Sequence, residues 1–186
     1  MKLLKRYTMI GIVFVLITGS LAHFVYDWSG KNHIVGLFTP INESVWEHMK
    51  LLFFPMLIYS LVMLLRFRKK YSCISSALCF GILAGTLLIP FFYYTYTYIL
   101  GKNVFILDIF TFILSVIIAF GLSYKLSSTC IWQDYPAMSR RTKTYASLVC
   151  ILVCILFVCF LVFTYHPPDA AIFQDPTMPA AARTCF

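Results

Sequence analysis

Five stretches of this chain are each long and apolar enough to cross a bilayer, and that pattern constrains the fold before any motif does. They lie at about 8–26, 45–65, 72–94, 104–124 and 145–165, each near the ~20 residues that span ~30 Å of hydrocarbon. Hydrocarbon offers the backbone no water to bond with, so runs of this kind satisfy their own N–H and C=O groups as helices. Composition agrees: 61% of residues are hydrophobic and 12% charged, against about 25% charged in a soluble domain. The first stretch follows Lys2, Lys5 and Arg6, as a signal peptide would. It runs on into His23-Phe24-Val25-Tyr26-Asp27-Trp28 with no small-residue cleavage site, and so reads as a retained span. The expected fold is all-α: one five-transmembrane-helix bundle over residues 1–166, then a tail over 167–186.

Orientation follows from the basic residues. Eleven of the 15 lysines and arginines fall in three segments: Lys2, Lys5 and Arg6; Arg66, Arg68, Lys69 and Lys70; Lys125, Arg140, Arg141 and Lys143. The alternate segments hold only Lys31, Lys50, Lys102 and Arg183. The positive-inside rule then sets the N-terminus in the cytoplasm and the C-terminus outside. The net charge of +8 follows from this topology and calls for no nucleic-acid partner, while the basic loops suit anionic lipid headgroups.

On that orientation the acids and histidines fall mostly on one side. Asp27, Glu43, Glu47, Asp108, Asp169 and Asp175 lie outside or in the outer half of a span, with only Asp134 cytoplasmic, and all four histidines (His23, His33, His48, His166) share the outer side. The densest group is Asn42-Glu43-Ser44-Val45-Trp46-Glu47-His48-Met49-Lys50 at the mouth of the second span. Ionisable groups at membrane depth cost roughly 2.5–3.5 kcal/mol on insertion scales and tend to line cavities or sites. Thr39 and Pro40 suit a cap and a first helical position. A helix begun there would carry Glu43 and Glu47 in its first two turns, beside the positive end of its dipole.

Helical spacing extends the site. His23 and Asp27 form an i,i+4 pair at the outer end of the first span, with Ser20 on the same face. Glu43 and Glu47 would share one face of the second helix with Lys50 close to Glu47, and Ser44 and His48 a face rotated by ~100°. Asp108 lies one turn into the fourth span at matching depth. His23, Asp27, His48 and Asp108 together offer nitrogen and oxygen ligands suited to a divalent metal such as zinc. The bland reading is also open: the same pairs lock helices together, with Lys50 neutralising Glu47 and His23 tied to Asp27. Tyr93, Tyr94, Tyr96 and Tyr98 read as an interfacial aromatic belt or as phenols reaching into the site. The segment His33 to Phe38 is apolar enough to lie in the interface or tuck back into the bundle, and the outer tail reads as extended, laid over the bundle mouth or mobile. The seven cysteines give no outer disulfide pair, and Cys73, Cys79 and Cys130 lie toward the cytoplasm with Cys185 outside.

The chain as a whole resembles a family of small uncharacterised bacterial multi-span membrane proteins marked by Asn-Glu-Ser-x-Trp-Glu-His-x-Lys, here Asn42 to Lys50. The resemblance extends to His23, to Tyr93-Tyr94-Thr95-Tyr96, to Asp108, and to Pro167-Pro168 with Phe173-Gln174-Asp175-Pro176; the ending Met178–Phe186 departs from it. It implies a multi-pass protein of the bacterial cytoplasmic membrane and brings no activity. Ser44-x-x-x-His48 is also similar to an element of the alkaline ceramidase and adiponectin receptor membrane hydrolases. Those are seven-span zinc enzymes with an aspartate and a late His-x-x-x-His pair. With five spans and no such pair here, the likeness is an analogy of site chemistry, not of fold.

Three function classes fit this inventory. One is a metal-assisted hydrolase of a lipid or lipid-linked substrate, in which a metal or His48 activates water, Glu43 or Glu47 moves the proton and Ser44 orients the attack. Another is a carrier or sensor of protons, metal ions or a small cation. The last is a non-catalytic assembly or binding protein whose polar cluster holds helices or a partner.

Overall fold

A computed structural model of the chain describes residues 1–129 and 140–176. Sequence expectations on Cys130, Asp134, Arg183, Cys185 and the Met178–Phe186 ending lie outside the described residues. The described chain is all-helical: α1 (Lys2–Trp28), a one-turn α2 (His33–Gly36), α3 (Val45–Phe67), α4 (Ile74–Leu100), α5 (Phe105–Thr129) and α6 (Arg140–Phe163), then a 3-10 turn at Ala171–Phe173. Apart from α2, each helix is long and apolar enough to cross a membrane, which makes the chain a multi-pass membrane protein.

The innermost helix is α3, packed on α1 and α4. Its Leu52, Phe53 and Met56 have no exposure, and Pro55 lies buried within it. Close approach to α1 is set at Gly19, where a Cβ would stand 2.5 Å from the Leu51 carbonyl oxygen. Farther along, the Tyr59 hydroxyl donates to the Tyr7 carbonyl at 2.7 Å. The tightest seam joins α4 and α5: a Cβ on Gly81 would stand 2.6 Å from the Ala119 carbonyl oxygen, and one on Gly85 2.5 Å from the Ala119 Cβ. Small residues four apart bring helices this close where lipid supplies no hydrophobic drive between them. α6 packs on α4 and reaches α3 through rings, with Phe160 against Phe53 and Trp46 at centroid separations of 5.0 and 4.7 Å.

One end of the bundle is clasped by three segments meeting on Lys50. Its ammonium, with no exposure, donates to Glu47 Oε2 at 2.7 Å, the Gly36 carbonyl at 3.0 Å and Thr164 Oγ1 at 2.6 Å. All three N–H groups are used, which is the condition for burying a charge at tolerable cost. The Tyr165 hydroxyl donates to the His33 carbonyl at 2.7 Å. The loop after α1 is therefore tied into the bundle by side chains of α3 and of the segment after α6. The chain after α6 crosses the same end, with Phe173 against Trp46 at 4.9 Å.

Candidate functional site

The second span does not begin where Thr39 and Pro40 suggested. α3 starts at Val45 with Ser44 as N-cap, its Oγ accepting from the Glu47 N–H at 3.3 Å. The Ser44 N–H in turn donates to Asn42 Oδ1 at 3.0 Å. Side-chain oxygens that take up orphan N–H groups at a helix start outweigh the preference of Pro for a first position. Glu43 consequently sits in the turn before the helix, and the shared face drawn for Glu43 and Glu47 does not exist. Glu47 turns inward to Lys50 and accepts from the Ile41 N–H at 3.0 Å, whereas Glu43 turns to the histidines.

Glu43 stands between two imidazoles. Its Oε2 is 3.4 Å from His48 Nε2 and its Oε1 3.7 Å from His23 Nε2. One ligand atom from each of the three residues lies within 4.8 Å of the others, and the two rings are 5.3 Å apart. His48 Nδ1 is 2.9 Å from the Ser44 carbonyl oxygen. A carbonyl can only accept, so Nδ1 carries a proton, and Nε2 meets Glu43 either with a proton of its own or, as a bare lone pair, across a cation. A lone pair facing a carboxylate is repulsive until a proton or a metal cation sits between them. On the other ring, His23 Nδ1 is buried without a hydrogen-bond partner among the described residues.

These groups face a cavity of about 560 Å³ with walls from α1, α3, α4 and α5, including Leu51, Ile89 and Phe112. Asp108 lines it, on α5, with the Tyr96 hydroxyl donating to its Oδ1; that hydroxyl is 2.9 Å from the Asn103 side-chain amide. Pro176 reaches the cavity, and Asp175 Oδ2 accepts from the Glu43 N–H at 3.2 Å. The extended segment after α6 thus holds the backbone of the residue between the histidines.

Of the residues singled out by sequence, the structure brings His23, Glu43 and His48 together and sets Asp108 in the same cavity. Asp27 is exposed in the last turn of α1, outside the three-residue group. Ser44 is buried in its capping role and Glu47 in its ion pair. The structure divides the tyrosine run: Tyr93 lines the cavity and Tyr96 bonds Asp108, while Tyr98 is 91% exposed. Sequence reasoning missed Asn103 and Thr164, and marked Pro176 only as part of the Phe173–Pro176 resemblance without a place in the site. No periodicity marks them, because each gains its role by tertiary contact.

The chain belongs to DUF6512, a family of unknown function, whose profile matches residues 1–180. No curated protein and no solved structure matches it.

Proposed function

We propose that His23, Glu43 and His48 bind one divalent metal ion, zinc by the nature of the set, and that the protein uses it to hydrolyse an ester in a membrane lipid or lipid-linked substrate. The observation that carries this reading is the convergence of the three ligand atoms within 4.8 Å. Two atoms each about 2.0–2.1 Å from a tetrahedral zinc lie roughly 3.3–3.4 Å apart. The His48–Glu43 contact of 3.4 Å, made to Oε2, meets that value; the His23–Glu43 contact of 3.7 Å is made to the other oxygen, Oε1, so one shared carboxylate oxygen requires a small turn of the Glu43 side chain. Two histidines and one carboxylate form a known catalytic zinc set, leaving a fourth position open for water. The bond from His48 Nδ1 to the Ser44 carbonyl supports the reading further, since metal-binding imidazoles are held through their other nitrogen in this way.

A metal so bound lowers the pKa of water toward ~7. The chain's own groups supply the rest. Water adds across the ester, its oxygen joining the acyl or phosphoryl centre as the bond to the leaving oxygen breaks. One water proton passes to the Asp108 carboxylate and from there to the leaving alkoxide. Tyr96 holds Asp108 in place, and apolar walls keep bulk water from the reaction. Ser44 and Glu47 support the site from beneath: one caps α3 and the other neutralises Lys50. On the orientation that the basic residues favour, this cavity would open on the extracytoplasmic side, in a bacterial cytoplasmic membrane as the family resemblance implies.

Metal analysis of the detergent-purified full chain tests the reading. One zinc per chain is expected in the wild type, with loss in His23→Ala, Glu43→Gln and His48→Ala while thermal unfolding stays within a few degrees. A wild type without stoichiometric metal rejects it and leaves the cluster as ion pairs between helices. Bound metal without ester turnover points instead to a carrier or sensor built on the same groups.

A further inference from the structure

The cavity has two different borders. Phe24 of α1 and Phe105 and Ile109 of α5 line it and are also 52%, 74% and 45% exposed. They form a rim on the outer flank of the bundle, which in a bilayer faces acyl chains. α1 and α5 close on each other at Gly11, where a Cβ would stand 2.6 Å from the Phe120 ring, and at Gly19, where it would stand 2.7 Å from the Phe112 ring. Beyond Gly19, cavity separates the two helices, with Ser20 and His23 on one side and Asp108 and Ile109 on the other.

The other border is polar. A second groove adjoins the cavity and shares Tyr93, Asn103 and Pro176 with it. Tyr94, Tyr98 and Lys102 complete most of its wall, and among the described residues Lys102 is the one formally charged side chain lining it. A set of phenolic and amide donors around one ammonium suits an anion with several acceptor oxygens. Phosphate fits that description better than a neutral head, which would leave the ammonium without a counter-charge.

We propose that the substrate is a phosphate-bearing membrane lipid, admitted between α1 and α5, with its chains against the Phe24–Phe105–Ile109 rim and its phosphate in the tyrosine–lysine groove. The ester to be cleaved then lies between the two, at His23, Glu43 and His48. The place of the chemistry rests on the metal-site reading; the binding does not, and is measured separately. A soluble phosphorylated molecule would use the groove alone and gain nothing from the apolar rim.

Native mass spectrometry of the full chain in detergent, titrated with dioleoyl phosphatidic acid, dioleoylglycerol, glycerol 3-phosphate or inorganic phosphate, separates these cases. Phosphatidic acid is expected to bind, and each of the other three to bind at least about tenfold more weakly, the loss of one charge-assisted contact or of the chain burial. Lys102→Ala should weaken phosphatidic acid by about tenfold with zinc content unchanged. Ile109→Trp should weaken phosphatidic acid and leave inorganic phosphate alone, and zinc content again reports whether the variant is folded. Dioleoylglycerol binding as tightly as phosphatidic acid, or no effect of Lys102→Ala, overturns the phosphate assignment. Glycerol 3-phosphate binding as tightly overturns the lipid source. Phosphatidic acid retained by a zinc-free His48→Ala protein supports the lipid site independently of the metal, and a wild type that binds it without ever holding zinc rejects the metal reading alone.

Discussion

At Lys50 a single residue shows how a polar group survives inside this chain. The ammonium has no exposure, and an unpaired charge there would be intolerable. Three acceptors from three segments answer it: Glu47, Gly36 and Thr164. Removing one partner of such a pair strands the other, at roughly 3–5 kcal/mol, while replacing both is often near neutral. Lys50→Met is therefore expected to destabilise the protein by about that amount, and the double variant Lys50→Met with Glu47→Gln to recover most of the loss. Thermal unfolding of the detergent-solubilised protein checks both; equal stability of Lys50→Met and wild type would show that the clasp contributes nothing. The pairing of Glu47 with Lys50 was legible as an i,i+3 spacing. The other two acceptors were not, since Thr164 lies 114 residues away and nothing in its own neighbourhood marks it. The same limit hid the position of Glu43: its chemistry could be read from the motif, its neighbours only in part.

Among the elements, the five long helices followed from hydropathy, whereas the start of α3 depends on a local signal that the Thr39–Pro40 expectation did not include. Ser44-x-x-Glu47 before an apolar run has the form of a capping box, and Ser44 does cap, yet Glu47 reaches the Ile41 N–H instead of returning to Ser44. Placing the start five residues early carried Glu43 onto a wheel it never joins. The α4–α5 seam sets Gly81-x-x-x-Gly85 opposite Ala119 and Ser123, a pairing that sequence reasoning did not draw. Only the contact distances reveal how little slack it has. A Cβ on Gly81 meets the Ala119 carbonyl oxygen at 2.6 Å, and backbone cannot swing aside as a side-chain tip can. Gly81→Val is expected to part the two helices at a cost of about 1–3 kcal/mol, typical of overpacking. Gly121→Val, where an added Cβ meets nothing within 4 Å, should be nearly silent. A lower unfolding midpoint for the first variant and not the second is the expected result, and equal midpoints would remove the seam as a stability determinant.

For the whole molecule, the consequential fact is that the two ends of the sequence's polar motif list meet at one end of the bundle. The segment after α6 packs Phe173 against Trp46 at 4.9 Å, sets Pro176 in the cavity and accepts the Glu43 N–H on Asp175 at 3.2 Å. Sequence placed this segment as an extended tail on the same side as the histidines, laid over the bundle mouth or mobile, and named no contact residues, because an extended segment without periodicity records nothing of what it crosses. Its contacts make it part of the site's support: Glu43 lies in a turn, not in a helix, and a turn residue holds a ligand geometry only as well as its backbone is fixed. Loss of an outer-shell partner commonly weakens a metal site by about 10–100-fold. On the metal site proposed above, Asp175→Ala is therefore expected to weaken zinc binding within that range while the unfolding midpoint shifts little, since the ring packing at Trp46 stays. Isothermal titration of the metal-stripped protein gives the affinity directly. The same loss in Phe173→Ala, which leaves Asp175 in place but removes the ring that seats the segment, would assign the effect to the docked segment as a unit. Unchanged affinity in both variants would mean that the capped start of α3 fixes Glu43 without help from the distant end of the chain.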